Sequence, residues 1–180
     1  MEGFKQWLLA EEGKMDSLRR KEIPDHCIHI DMPNAQQQKK FSCGAACLRA
    51  VCKHFKVGPD TEQEFIDDCE TTYRKGTHPS DLERAAKDYG LQVRPKKNMS
   101  LAELKKYLSG GVPVICAMQA WGTEKDYEEA GSGHYVVAVG FDDDDHVYFM
   151  DPMLKAGCRG HLKSAEFLER WHDRSEEHTS

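Results

Sequence analysis

Gln36-Gln37-Gln38-Lys39-Lys40-Phe41-Ser42-Cys43-Gly44-Ala45-Ala46 is a glutamine-rich approach to a cysteine that opens a small-residue helix. Far downstream, Gly133-His134-Tyr135-Val136-Val137-Ala138-Val139-Gly140-Phe141 sets a histidine at the head of an apolar strand. Asp151-Pro152 closes the strand after it. A thiol becomes a nucleophile when a base takes its proton, the base needs an orienter, and the resulting oxyanion needs donors. Cys43, His134, Asp151 and Gln37 are residue types that suit those four roles.

Outward from Cys43, Ala46, Leu48, Ala50, Val51 and Phe55 give the small and apolar faces of a helix over Ala45 to Phe55, ended by Gly58-Pro59. Cys43 falls at its first turn, where unpaired backbone N–H groups and the helix dipole favour a thiolate. Gly44 keeps bulk away from whatever approaches the sulfur. The Cys43 N–H faces the place where an oxyanion would form, and the intervening loop can bring the Gln37 carboxamide to the same hole. Two other readings stand beside this one. Cys43 can be one more buried cysteine in a helix that also carries Cys47 and Cys52. It can also pair with Cys47 and His54 on a metal, although the second close pair typical of structural zinc is missing.

His134 is one of nine histidines, so frequency alone makes it a surface or core residue. Its place after Gly131-Ser132-Gly133 and before the most apolar strand suggests a ring held rigidly beside an open mouth. With Asp142–Asp145 as a hairpin turn, the His134 end of one strand lies beside the Asp151 end of the next, within reach of an orienting carboxylate. Asp151-Pro152 reads equally well as a strand-ending turn. The Asp142–Asp145 run lacks the alternating ligands, central glycine and distal glutamate of a calcium loop and reads as a solvated turn.

The chain has 180 residues, enough for one well-buried domain, with 39% hydrophobic and 31% charged residues. Net charge is −6, and the basic clusters Arg19-Arg20-Lys21 and Lys96-Lys97 are short and bounded by acids, so nucleic acid is not an expected partner. No apolar run approaches the roughly 18–20 residues that span a bilayer, and the N-terminus lacks a secretory pattern, so a cytoplasmic protein is expected. Seven cysteines, at 27, 43, 47, 52, 69, 116 and 158, show no disulfide framework and read as reduced.

Apolar spacing predicts an N-terminal helix over residues 3–20, then an irregular lead-in with a short edge strand at Cys27–Ile30. Thr61 with Glu64, Ser80 with Glu83, and Ser100 with Glu103 are capping patterns that head helices near 62–70, 80–89 and 101–109. Leu91–Arg94 alternates like a strand. Val112–Met118, Tyr135–Phe141 and His146–Met150 follow as strands, and Ser164 caps a last helix through Trp171. Helices first and sheet later predict an α+β domain. The divisions are 1–31 for helix and lead-in, 32–172 for the domain, and 173–180 for a flexible tail.

The ordered set Gln-x5-Cys-Gly-x-Ala, a helical middle with Pro-Val-Ile, His-Tyr-Val-Val-x-x-Gly, and Asp-Pro resembles the double-glycine, bacteriocin-processing-like peptidases of the papain-like cysteine peptidase superfamily. The resemblance runs from Met32 to Trp171 and includes a closing Phe167-x-x-x-Trp171 helix. It implies a papain-like fold, an N-terminal helical part packed on a C-terminal antiparallel sheet. It implies further that Cys43 is the nucleophile, His134 the general base and acid, Asp151 its orienter, and Gln37 the oxyanion donor, with no cofactor or metal. Gln36 and Gln38 flank Gln37, so the donor could shift by one. Two departures bear on the substrate. Family members that process secretion leaders are fused to a transporter, and this chain has no membrane segment. Gln119 to Gly133 is longer and more charged than a minimal linker and suggests a lid or specificity loop. The expected partner is a protein or peptide, cleaved at a peptide or isopeptide bond through an acyl-enzyme thioester. A same-fold acyl transferase and a non-catalytic binding module are the alternatives, and the oligomeric state is not set by the sequence.

Overall fold

A computed structural model describes residues 23–24, 26–119, 133–154 and 159–171. The helix expected over residues 3–20, the loop interior at 120–132 and the tail from 173 lie outside them. The described chain begins with β1 (Ile28–His29), continues through helices α1 (Cys43–Phe55), α2 (Glu62–Asp68), α3 (Pro79–Asp88) and α4 (Leu101–Ser109), and then enters the sheet. The later strands are β2 (Val114–Gln119), β3 (Gly133–Phe141), β4 (His146–Met150) and β5 (Gly160–Lys163), followed by α5 (Ser164–Arg170).

Among the described residues all strand pairs are antiparallel and β3 is their hub. Along one edge, β2 pairs with its first half, from Gln119 against Gly133 to Val114 against Ala138, and β1 takes over at Gly140 and Phe141. Along the other edge lies β4, which β5 extends. Val136 to Val139 are buried, as expected for a strand covered on both faces. Gly140 is required here: a Cβ would sit 2.6 Å from the Ile28 carbonyl oxygen.

α1 is buried on nearly every side, so it reads as small and apolar all round rather than as one stripe. Cys47, Ala50 and Val51 join the sheet-side core with Val136, Ala138, Met150 and Phe167. Ala45, Leu48 and Cys52 join a second core with Phe65, Ile66, Leu82 and Ala85 from α2 and α3. Gly44 completes the fit, because Thr77 packs where its Cβ would be, at 2.6 Å.

Thr61/Glu64 and Ser100/Glu103 form the expected capping boxes. Ser80 does not cap α3; that helix starts one turn position earlier, with Pro79 in its first turn and the His78 ring accepting from the Ser80 N–H. Leu91–Arg94 forms no strand and pairs with none among the described residues. Its alternation is real, since Leu91 and Val93 pack on the cores while Gln92 and Arg94 face out, yet helices provide much of the apolar surface they meet. Ser164 begins α5 rather than capping it, its N–H committed to the Asp145 carbonyl. β5 carries no sequence signal of its own; it exists because Gly160 leaves room for the Phe149 ring, 2.2 Å from where a Cβ would be.

Phe167 is fully buried and packs between Phe149 and Trp171, with ring centroids 6.2 and 5.4 Å away. Phe167→Ala is expected to lower stability by about 3–5 kcal/mol through the cavity it leaves, measured by denaturant unfolding. Gly44→Ala, which overpacks against Thr77, is expected to cost about 1–3 kcal/mol in the same assay.

Candidate active site

Cys43 is the first residue of α1, so its N–H lies outside the helix's own hydrogen-bond ladder. It is buried beside β3 and shares the lining of one cleft with His134, whose side chain acts on its thiol. His134 is 4% exposed, and its Nε2 donates to Asp151 Oδ1 at 2.8 Å. The same oxygen accepts the Met153 N–H at 2.9 Å, which fixes the carboxylate in the turn after β4. Cys43, His134 and Asp151 are thus brought together from α1, β3 and the turn after β4.

A β-bulge makes the last link possible. Near the hairpin turn, Phe141 pairs with Val147 and Gly140 with Tyr148; beyond Val139 the pairing becomes Ala138 with Phe149 and Val137 with Met150. Continued in the second register, Asp151 lies across from Val136 and so on the face that carries His134, two residues away. Without the bulge it would oppose Val137 and point to the other face, because a one-residue shift exchanges faces. The turn is effectively one residue tighter than the four-residue turn expected, since the Asp142 N–H already donates to the His146 carbonyl and Asp145 takes a left-handed φ of 66°. The bulge restores the register that the longer turn would have given.

The charges of the pair move in opposite directions. Burial pushes the Cys43 thiol up, but the hydrogen bond and positive charge of His134, with backbone hydrogen bonds at Tyr135 and Gly44, bring it below the ordinary thiol value. Burial works against the charged form of His134, and Asp151 and the Cys43 sulfur overcome it, raising the imidazole to about 10. The other helix cysteines lack such a partner. Burial pushes Cys47 far up and Cys52 to about 12. Both shifts run toward a thiolate–imidazolium pair at Cys43 and His134.

Gln37 lies beside this pair on the rim of a cleft of about 590 Å3 whose walls are residues 36–41 and 73–76, with His134 and Met153 between them. Its own N–H donates to the Pro152 carbonyl at 2.8 Å, and its side-chain Nε2 donates to the Lys39 carbonyl at 2.8 Å. Among the described residues this uses one of the two Nε2 hydrogens. The wall at 73–76 is a short loop closed by the Thr72–Gly76 bridge and held on α1 through Thr77, whose carbonyl accepts from the Tyr135 hydroxyl at 3.2 Å. At its tip Tyr73 is 79% exposed and edge-stacked on Phe41 at 5.9 Å.

The structure brings together all four residues singled out in the sequence, and it adds ones that the sequence did not suggest. Met153 fixes Asp151 through a backbone N–H, which carries no side-chain signal. Glu62 is a buried carboxylate that reaches the loop between Gln37 and Cys43. Its signal was present: Glu62 shares a helical face with Phe65 and Ile66, a charged residue in an apolar stripe. Cys43 and Cys47 do not join His54, whose Nδ1 lies 3.1 Å from the Asp31 carbonyl oxygen.

The sequence profile of the Peptidase_C39 like family matches residues 29–178. No curated protein matches the chain by sequence. Among solved structures, a double-glycine-motif protease from an AMS/PCAT transporter, in complex with its leader peptide, is 24% identical with a TM-score of 0.60, covering 79% of this chain and 87% of that one. The peptidase domain of Streptococcus ComA, a bifunctional ABC transporter of a quorum-sensing pathway, is 19% identical with a TM-score of 0.58, covering 77% and 91%. A C39-like protein from Bacillus anthracis is 19% identical with a TM-score of 0.65, covering 82% and 92%. At these identities the structural likeness establishes the fold, α+β and papain-like, while the profile covers most of the chain: the protein belongs to the Peptidase_C39 like family.

Proposed function

We propose that the chain is a cysteine peptidase that cleaves a peptide or isopeptide bond through a Cys43-His134-Asp151 triad, with residues 32–172 as the catalytic unit. The observation that carries this reading is the Cys43 thiol on the same cleft as an imidazole that is hydrogen-bonded to Asp151. The Cys43 sulfur attacks the substrate carbonyl carbon, and the carbonyl electrons move onto oxygen. The oxyanion is met by the Cys43 N–H and a Gln37 Nε2 hydrogen. As it collapses, the C–N bond breaks and the departing amine takes the proton from His134. His134 then removes a proton from water, whose oxygen attacks the thioester and releases the carboxylic acid and the sulfur. Asp151 keeps Nε2 of His134 occupied throughout, so the other ring nitrogen faces the sulfur. A leader peptide bound to a protease of this fold supports a peptide as the substrate class.

Cys43→Ala is expected to abolish turnover with the fold retained, read by peptide-library cleavage alongside circular dichroism; residual cleavage would remove Cys43 from the nucleophile's role. Gln37→Ala should cost on the order of 100-fold in kcat, the usual loss for one oxyanion donor. Iodoacetamide labelling against pH tests the ion pair. As pH falls through the depressed Cys43 value, the thiolate takes up a proton and labelling slows, so the midpoint should lie below that of free cysteine in the same buffer. His134→Ala should move that midpoint upward, because it removes the cation that stabilises the thiolate. Cys47 and Cys52 should remain unlabelled over the same range.

A further inference from the structure

We propose that Glu62 is a positioning residue that holds the loop between Gln37 and Cys43, so that the oxyanion donor and the nucleophile keep a fixed spacing. The inference rests on the peptidase reading above and extends it to a residue on α2 that touches neither substrate nor sulfur.

Glu62 is 1% exposed. A buried carboxylate is unfavourable unless its oxygens are satisfied. Its Oε1 accepts two hydrogen bonds, from the Gln38 N–H at 2.9 Å and from the Ser42 hydroxyl at 2.6 Å. These residues are the one immediately after Gln37 and the one immediately before Cys43. A single oxygen atom therefore ties both ends of the loop that separates the two groups. Oε2 faces Arg49 Nη1 at 3.4 Å, a longer contact that turns the carboxylate toward the loop. The Lys39 N–H reaches the Ser42 Oγ at 3.2 Å, and the Lys39 carbonyl accepts from Gln37 Nε2, so the hydrogen bonds run from Glu62 through Ser42 and Lys39 to the Gln37 side chain.

Ser42 shows what this arrangement displaces. It occupies the N-cap position of α1, where a serine oxygen ordinarily accepts from a backbone N–H of the first turn. Here it makes no side-chain cap bond. Its hydroxyl donates to Glu62 and its oxygen accepts the Lys39 N–H instead, and the first-turn N–H groups stay available to the sulfur and the oxyanion. The fold does not need Glu62 for this helix to form: α2 has its own capping box at Thr61 and Glu64 and is anchored by buried Phe65 and Ile66.

Two reactions at Cys43 separate positioning from simple structural support. Alkylation by iodoacetamide develops no oxyanion, whereas acylation by p-nitrophenyl acetate does. In Glu62→Ala, acylation is expected to fall about 10–100-fold while alkylation stays within about 3-fold of the unsubstituted protein. In a Gln37→Ala background, the same Glu62→Ala change should cost less than about 3-fold further, because the donor it positions is already gone. Glu62→Gln, which keeps an acceptor oxygen, should lose about 3–10-fold in acylation alone and carries the comparison if the alanine variant does not fold. The proposal is overturned if acylation and alkylation fall together, if acylation is unchanged, or if the full loss persists without Gln37. Failure of the peptidase reading itself looks different: Cys43 of the unsubstituted protein would then label no faster than the other cysteines.

Discussion

α1 has nowhere to move. The sheet covers one of its faces and α2 with α3 cover the other, and the closeness of both contacts depends on its run of glycine, alanine and cysteine. Larger side chains would push the helix off one layer or the other, since packed interiors have few voids to absorb a methyl group. The position of Cys43 follows from this. It is the first residue of a helix that cannot rotate or slide, and its sulfur meets β3 at the residue that follows Gly133. Gly44 belongs to the same constraint, because the Thr77 side chain that fills its missing Cβ also fixes the loop forming the far wall of the cleft.

The same burial has opposite chemical results at neighbouring sulfurs. Cys43 and Cys47 sit one helical turn apart and are both withdrawn from water, yet one thiol moves below the ordinary value and the other far above it. Depth therefore does not distinguish them. Cys43 meets an imidazole whose charged form Asp151 favours, and Cys47 donates to a carbonyl, Tyr135 O at 3.2 Å, which can only stabilise the protonated form. The difference traces back to the bulge at Val139. Without that extra residue Asp151 would lie on the other face of the hairpin, His134 would be a buried imidazole without a carboxylate, and desolvation would favour its neutral form.

The parts of this architecture that were legible in the sequence are those that depend on one residue type at one place. The small-residue helix, the apolar hub strand, the Asp142–Asp145 turn and two of three capping boxes each have a local physical cause, and the four proposed site residues stand at the ends of those elements. The rest depends on partners distant in sequence. Leu91–Arg94 alternates as a strand would, but alternation reports only that one face is buried, and here helices supply much of the apolar surface. β5 is set by a glycine that accommodates an aromatic ring eleven residues upstream. The register linking His134 to Asp151 was reached from the assumption of a four-residue turn; the molecule reaches it by a tighter turn and a compensating bulge, a pairing of irregularities that no local pattern announces.

The glutamine-rich segment is the extreme case of that dependence. Its sequence suggests a flexible polar loop, and Gln36, Gln37 and Gln38 are equal candidates for the oxyanion donor on composition alone. What separates them is the backbone around them. The Gln37 N–H is held by the Pro152 carbonyl, in the turn that also presents Asp151, and the next N–H is held by Glu62. Two anchors on successive residues, one from the hairpin and one from α2, leave the backbone little freedom and set the direction of the side chain between them. In the proposed role of oxyanion donor, a glutamine held this way would meet the transition state with much of its orientational entropy already lost during folding, the preorganisation that oxyanion stabilisation needs. The Asp151 carboxylate and the Gln37 side chain are then parts of one hydrogen-bonded turn, so a shift in either the hairpin or α2 alters both groups together.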